Sequence, residues 1–366
     1  MDFPLIYHHT GLESSGGATR VARLLVEGLH QQGLSAELSF ELAEAPDSVP
    51  TAPDAVGDSL PENGVAHLHC TGDWISLLTG LSPDRKSVIT LHDCELLTGG
   101  CPYPLECPDF AEQCVDPCPR NFPNSAMLKQ SKLAQVERLA PVVVAPSRWL
   151  ARLARTHLNR SVSVIPNGIP WPDRPASAIE ARHRLGIHPA ARVAMFAAHG
   201  GMAAGYKSGD SWLTLWQHLK ARVPELVCFA VGGDTEERHG DLIVWPYVDR
   251  AKLGLLMSAA DVLLYPTRAD NHSLVILEAM SRALPVVSYA VGGVPEQIVD
   301  HGTGRLVPPG DQSAFLDAAI SILSRPGVRR QMGLEAFSGG QKRFTVDRMV
   351  SGYRRIYTRF LENLTA

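Results

Sequence analysis

The chain has 366 residues, which at roughly 100–200 residues per domain suggests about two domains and excludes a miniprotein held together by disulfides or metal alone. Charge is nearly balanced, 34 basic against 38 acidic residues for a net of −4, with 20% charged and 45% hydrophobic residues, so neither a nucleic-acid-binding surface nor a disordered chain is indicated. No run reaches the roughly 18 apolar residues of a membrane span, and the opening MDFPLIYHHTG lacks the basic and apolar regions of a secretory signal, so a cytoplasmic location is expected.

Along the chain, short β-branched apolar runs alternate with longer stretches of helical period, the pattern of βαβ units and a parallel sheet. PLIYHH reads as the first strand and TRVARLLVEGLHQQG, stopped by Gly33, as the helix after it. Residues 43–63 read as a loop. VAHLHC, SVITLHD, PVVVAPS and VSVIPNG continue the first set of strands. The proline-rich segment 166–178 interrupts the rhythm and is read as a domain boundary. A second set follows: RVAMFAA, LVCFAVGG, LIVWPYV, DVLLYP and PVVSYAVGG. Residues 347–364 read as a terminal helix. The expected organisation is an α/β domain over 1–168 with a cysteine-rich insertion at 99–123, a second α/β domain over 169–345, and a C-terminal helix over 346–366 packing back on the first domain. Open α/β sheets bind ligands at the carboxyl ends of their strands, which is where the candidate residues fall.

Gly16 and Gly17 follow Ser14 and Ser15 between the first strand and its helix, where glycines let backbone N–H groups approach an anion; a plain βα turn accounts for them equally well, and the G-x-G-x-x-G spacing is absent. His67 and His69 in HLHC fit core histidines with fixed tautomers better than ligand contacts. His92, followed by Asp93 and a TGG turn, fits a loop opening on a ligand. In 265–280 a strand ends, a polar loop follows, and a helix starts near Ser273 with free N–H donors. Asp270 stands just outside that helix and Glu278 inside it, either as two anchors for one elongated ligand or as a capping acid and a solvated residue.

Seven cysteines are present. Cys101, Cys107, Cys114 and Cys118 sit directly after the His92 loop, separated by prolines. Four thiols at this spacing suit a tetrahedral ion such as zinc, an iron–sulfur cluster, two disulfides, or free thiols. Cys70 and Cys228 read as core residues, while Cys94 lies near His92. Lys129, Lys132 and Arg138, with Arg148, Arg152, Arg155 and Arg160 on the next helix, form either a solvated basic face or one that docks on anionic lipid.

The stretch PTRADNHSLVILEAMSRALPVVSYAVGGVPEQIVDHGTGRLVPPGD, residues 266–311, closely resembles the donor-binding region of glycosyltransferase family four, whose members retain anomeric configuration and have the GT-B architecture, two Rossmann-like domains facing a central cleft. A carboxylate, seven residues and a glutamate are followed by a G-x-P-V-V strand, a GG-x-x-E segment and G-x-L-V-P-P; Ala283 replaces the glycine of that strand. The GG turn after the first strand, the HLH and LHD strands, VVVAPSRWL, VIPNGIP and ADVLLYP extend the resemblance over nearly the whole chain.

The resemblance implies roles. Glu278 would bind the nucleotide ribose, Asp270 the donor sugar near its anomeric centre, and the backbone amides of Asn271, His272, Ser273 and Leu274 the sugar or its phosphates. Lys207 matches the lysine that neutralises the leaving diphosphate. The arginine usual before that lysine is missing, so His199, or the amides of Gly200 and Gly201, would stand in. His92 matches the histidine beside the donor sugar, and Gly16 and Gly17 the loop facing the diphosphate and acceptor. The implied activity is transfer of a sugar from a nucleoside-diphosphate sugar to a saccharide or lipid-linked saccharide, without a catalytic metal, with peripheral contact to the inner membrane as an option. Some bacterial members resembling surface-polysaccharide transferases carry a similar HD-x4-TGGC with spaced cysteines. Rival readings are another GT-B enzyme, such as a nucleotide-sugar epimerase, and a silent scaffold with a metal-stapled loop.

Overall fold

The computed structural model describes residues 3–111, 113–197, 205–207, 212–233 and 235–362. The chain divides into two compact units, Met1–Gly168 with Val346–Ala366, and Ile169–Thr345.

Among the described residues unit 1 holds a six-stranded sheet in the order β2-β1-β3-β4-β5-β6. The strands are β1 (Ile6–Leu12), β2 (Ala36–Leu42), β3 (Val65–Leu68), β4 (Lys86–Thr90), β5 (Val142–Ala145) and β6 (Val162–Val164), and every pairing is parallel. The inner strands are buried on both faces, which is why they read as nearly unbroken apolar runs. Helices α1 (Gly17–Gln31), α2 (Val56–Ser59), α3 (Trp74–Thr79), α4 (Ser125–Leu139) and α5 (Arg148–Leu158) connect them. Asp73 and Ser147 cap α3 and α5 by accepting from first-turn amides. Residues 43–63 are not all loop: a 3-10 turn over Pro53–Ala55 leads directly into α2.

Unit 2 holds, among the described residues, a seven-stranded sheet in the order β13-β12-β11-β7-β8-β10-β9. Its strands are β7 (Arg192–Ala197), β8 (Leu226–Gly233), β9 (Glu237–His239), β10 (Leu242–Pro246), β11 (Val262–Tyr265), β12 (Val286–Tyr289) and β13 (Gly304–Val307). Only β9 is antiparallel to its neighbour. The helices are α6 (Ala178–Arg184), α7 (Trp212–Arg222), α8 (Arg250–Ala259), α9 (Leu274–Ser281), α10 (Gln312–Ser324) and α11 (Pro326–Gln341). Alternate residues of β7 feed two cores: Val193, Met195 and Ala197 on one face, Ala194 and Phe196 on the other. The chain then re-enters unit 1 as α12 (Val346–Glu362), which packs on α1.

Strand order locates the ligand-competent edges. In unit 1 the order reverses between β1 and β3, in unit 2 between β7 and β11; such switch points open a crevice at the carboxyl ends of the strands. In unit 2 the pair is fastened at its other end by Asp261, just before β11, whose carboxylate accepts from the Val193 amide at 2.8 Å and meets Arg182 at 2.8 Å and Arg329 at 3.0 Å.

Candidate functional site

The loop after β11, residues 266–273, leaves the unit 2 switch point and is held from below. Tyr265, the last residue of the strand, is fully buried and donates its hydroxyl hydrogen to Oδ2 of Asp270; burial and the adjacent carboxylate push the tyrosine's own pKa well up. The Asn271 amide donates to Asp270 Oδ1 at 2.7 Å. Both carboxylate oxygens of Asp270 are thus engaged, and its side chain does not cap α9, whose N-cap is Ser273. Gln297 clamps that position from the side: its Oε1 accepts from the Ser273 amide at 2.9 Å and its Nε2 donates to the Ser273 carbonyl at 2.8 Å. The amides of Asn271 and Ser273 are therefore committed within the protein. Asn271, His272 and Ser273 are buried, while Leu274 and Glu278 are half-buried on α9. Gly292 sits at φ +55°, and a Cβ there would lie 2.0 Å from the Asp270 carbonyl oxygen; only glycine combines that conformation with that approach.

Lys207 ends a 3-10 turn, Gly205–Lys207, and the carbonyl of Tyr206 accepts from the Arg268 amide at 2.7 Å. This brings the lysine's backbone to the loop after β11, although its side chain lies outside the described residues, as do His199, Gly200 and Gly201. Arg268 is exposed on the same loop and was not among the residues singled out above.

In unit 1 Gly16 adopts φ +86° at the N-terminus of α1. The loop before it is tied to the segment after β2 by two carboxylates. Glu44 accepts from the amides of Ser14 at 2.6 Å and Ser15 at 2.9 Å, and Glu13 accepts from the amides of Glu44 and Ala45 at 2.6 Å and 3.0 Å. Hydrogen bonds from Ser15, led by its hydroxyl, bring Glu44 down to about 2.

His92 lies beyond β4, half-buried. Its Nε2 is 3.0 Å from His69 Nδ1, and His69 Nε2 is 3.0 Å from His8 Nδ1. Burial lowers His92 to about 4 and His8 to about 3, and holds His67 and His69 well below the ordinary histidine value, so all four imidazoles are neutral at pH 7. His67 and His69 are core histidines: His67 bonds Thr90 at 2.8 Å and Tyr357 of α12 at 2.7 Å. Next to His92, burial raises Asp93 to about 6 and Glu95 to about 7.

The four clustered cysteines line one small cavity together with Phe110 and Phe122. The Gly99 amide donates to Cys114 Sγ at 3.3 Å and the Arg120 amide to Cys118 Sγ at 3.4 Å. Burial alone would raise the Cys118 thiol, but N–H groups of Phe122 and Arg120 outweigh it and lower it. None of the seven cysteines is paired in a disulfide here. Cys228 is fully buried, whereas Cys70 is only partly so, its sulfur accepting from the Gly11 amide at 3.3 Å. The basic residues of the neighbouring helices do not all face solvent. Lys129 and Lys132 are buried; the first places its ammonium 5.7 Å from the Phe110 ring centre and the second donates to the Glu95 carbonyl at 2.6 Å. Arg138, Arg155 and Arg160 donate to backbone carbonyls. Arg138, Arg148, Arg152 and Arg155 are exposed. The cysteine loop and the turn after His92 cover α4, so charges that looked solvated end in carbonyls and an aromatic face. No helix among the described residues is long and apolar enough to cross a membrane.

Comparison with solved structures places this architecture. Sucrose-phosphate synthase from Thermosynechococcus elongatus superimposes with a TM-score of 0.73 at 18% identity, covering 98% of this chain and 100% of that one. HepE from Anabaena, solved in complex with UDP, gives 0.70 at 16% identity over 97% and 100%. Residues 194–325 match the family model described as glycosyl transferases group 1. The fold is GT-B. Among curated relatives, N-acetyl-alpha-D-glucosaminyl L-malate synthase of Bacillus anthracis is 35% identical over 103 residues, 28% of this chain and 27% of that one. The chain spans about a quarter to three fifths of the length of the first curated relatives it matches.

Three residues that support the candidate residues of the two units were not picked out in the sequence. Tyr265 and Gln297 lie inside quoted motifs, DVLLYP and GGVPEQ, yet their side chains matter only once the strand end and the GG segment are packed against the loop. His8 lies in PLIYHH, where the same strand-end histidine signal as in HLHC was present.

Proposed function

We propose that this chain is a retaining glycosyltransferase of family four that moves a hexosyl group from a nucleoside-diphosphate sugar to a saccharide or lipid-linked saccharide acceptor, in the cytoplasm and in surface polysaccharide or lipopolysaccharide synthesis. The observation that carries this reading is the β11–α9 loop at the unit 2 switch point, inside the matched residues 194–325, with Asp270 fixed by Tyr265 and Asn271.

The chemistry divides between the residues. Glu278 accepts hydrogen bonds from the ribose hydroxyls and so fixes the donor's length along α9. The positive end of α9 and the ammonium of Lys207 meet the diphosphate, on which negative charge grows as the glycosidic C–O bond breaks; fixed donors aimed at developing charge are the largest lever an enzyme has. Asp270, pinned by two hydrogen bonds, orients the sugar at its anomeric carbon without reorganising. The acceptor oxygen attacks from the face the diphosphate leaves, and the departing phosphate oxygen takes the acceptor's proton, so retention needs no pair of acid and base carboxylates. His92 contacts the sugar.

The four thiols of the cysteine loop are assigned to one structural ion, zinc or an iron–sulfur cluster, which would staple an irregular segment that has little core of its own. Their shared cavity, the amides on Cys114 and Cys118 and the nearby cations of Lys129 and Arg120 support this assignment, although burial still raises the Cys101 thiol. Among the described residues the trio whose ligand atoms lie within 4.8 Å of one another is His8, His67 and His69, so binding would draw the thiols inward. Absence of zinc and iron from purified protein, with four titratable thiols, would remove this assignment.

Release of nucleoside diphosphate from UDP-, GDP- and ADP-sugar donors tests the enzyme. Slow release lost in Glu278→Ala and His92→Ala supports transfer; nucleotide binding with no turnover of any donor points to a scaffold.

A further inference from the structure

His8 and His67 are register partners on adjacent parallel strands, and His69 follows His67 by two, so all three side chains project from one face of the unit 1 sheet. His8 and His67 are 0% exposed and His69 1%. Their rings stack onward to His92: centroids are 5.3 Å apart for His8 and His69 and 5.3 Å for His69 and His92.

Two functions compete for this cluster. Ligand atoms of His8, His67 and His69 lie within 4.8 Å of one another, a spacing a transition metal can use. Yet five of the six ring nitrogens are already hydrogen-bonded. His8 Nδ1 and His69 Nε2 bond each other, His69 Nδ1 bonds His92, and His67 bonds Thr90 and Tyr357. Only His8 Nε2 lacks a partner among the described residues. A metal would have to break at least two of these bonds, whereas a hydrogen-bonded chain uses them as they stand.

We propose that His69 and His8 are positioning residues, forming a chain from His8 Nδ1 through His69 Nε2 and Nδ1 to His92 Nε2 that fixes which nitrogen of His92 carries its proton. A neutral imidazole has one N–H and one lone pair, and burial keeps these rings neutral. Each N···N contact holds one proton, so setting one contact sets them all. If His92 donated at Nε2, His69 would donate to His8, and the His8 proton would sit on Nε2, a buried N–H with no acceptor, which folded proteins rarely tolerate. The opposite polarity leaves only a bare lone pair at His8 Nε2. It makes His8 donate to His69 and His69 donate to His92, and puts the His92 proton on Nδ1. His92 then acts on a sugar hydroxyl as a donor at Nδ1; this last step rests on the sugar-contact reading above, the chain itself does not.

The test is the tautomer of His92 in the full chain labelled with 15N-histidine, read from long-range 15N–1H correlation spectra and assigned with His92→Ala. The expected wild-type result is a protonated Nδ1 and an accepting Nε2; a protonated Nε2 overturns the proposal without any variant being needed. His69→Phe should return His92 to the Nε2–H form and lower kcat/KM for the donor about tenfold, leaving nucleoside-diphosphate Kd within about twofold, and His69→Gln, whose amide can donate to His92, should restore the Nδ1–H form. An unchanged His92 tautomer in His69→Phe also overturns it. If the tautomer shifts as stated while the wild type turns over no donor, the chain stands and the proposed function falls.

Discussion

In unit 2 the sheet is lined mostly with Val, Met, Phe and Leu on both faces, and apart from the Asp261 cluster at the far end its polar bonds gather in the loop beyond β11, where Asp270, Ser273 and Gln297 are tied into one hydrogen-bonded knot. In unit 1 polarity runs into the sheet itself: His8, His67 and His69 are buried among the strands, His67 bonding Thr90 and Tyr357, and Thr90 in turn bonding Tyr353. The first arrangement suits a site that must hold a strongly charged ligand at one edge while its core stays inert. The second stores neutral imidazoles that would have to charge below their ordinary pKa, and so links unit 1's stability to pH. The contrast teaches where each unit is vulnerable: unit 2 at its loop, unit 1 through its interior.

The largest effect expected is on unit 1 in acid. Burial depresses the folded-state pKa of His8, His67 and His69. Below about 6.5 the unfolded chain therefore binds protons that the folded chain refuses. The stability in question is fully present above 6.5 and is lost as pH falls toward the folded value, about 3 for His8. His8 costs up to about 1.4 kcal/mol per pH unit in that window, and His67 and His69 act in the same direction. Among the described residues unit 2 carries one counterpart, His272, lowered to about 3 chiefly by burial. Hydrogen exchange followed by mass spectrometry between pH 7 and pH 5 should show β1 and β3 losing protection before β7 and β11. Simultaneous loss in both units would erase the contrast.

The next effect belongs to the unit 2 loop. Asp270→Asn keeps the shape but removes the charge proposed to lie beside the anomeric carbon, and should lower kcat/KM for the donor by about 10²–10³, measured by nucleoside-diphosphate release. Gln297→Ala frees the Ser273 peptide and leaves a buried amide unpaired. A loss of about 1–3 kcal/mol in denaturant unfolding is expected, with a weaker donor KM. An unaffected KM would mean the clamp serves folding alone. The smallest effect concerns Ala283, which stands where the resemblance expects glycine and adopts φ +54°. A left-handed conformation costs a residue with a Cβ about 1–2 kcal/mol, so Ala283→Gly should raise stability by about 1 kcal/mol with activity unchanged. A neutral or destabilising result would show that the strain is absorbed elsewhere.

The strands buried on both faces were legible because burial on both sides removes every reason for a polar residue, leaving runs such as VVVA and VLLY. Those that escaped are the ones that face solvent or sit at an edge. β2, AELSFEL, alternates with Glu37 and Glu41, and β9, Glu237–His239, is exposed throughout. The loop around Asp270 was readable because its spacing to Glu278 lies within one contiguous segment. Tyr265, Gln297 and the His8–His69–His92 chain depend on strand register, which sequence spacing does not carry. The basic residues of α4 misled for a related reason: nothing local in SAMLKQSKLAQVERL reveals that the cysteine loop folds over Lys129 and that the Glu95 carbonyl waits for Lys132.

Calorimetric titration of the full chain with UDP, GDP and ADP tests the central claim, that unit 2 is a nucleoside-diphosphate-sugar site anchored by Glu278. Saturable binding of at least one diphosphate is predicted, weakened about tenfold to a hundredfold in Glu278→Ala through loss of charge-assisted hydrogen bonds. No binding of any of the three, or binding that Glu278→Ala leaves untouched, would contradict it.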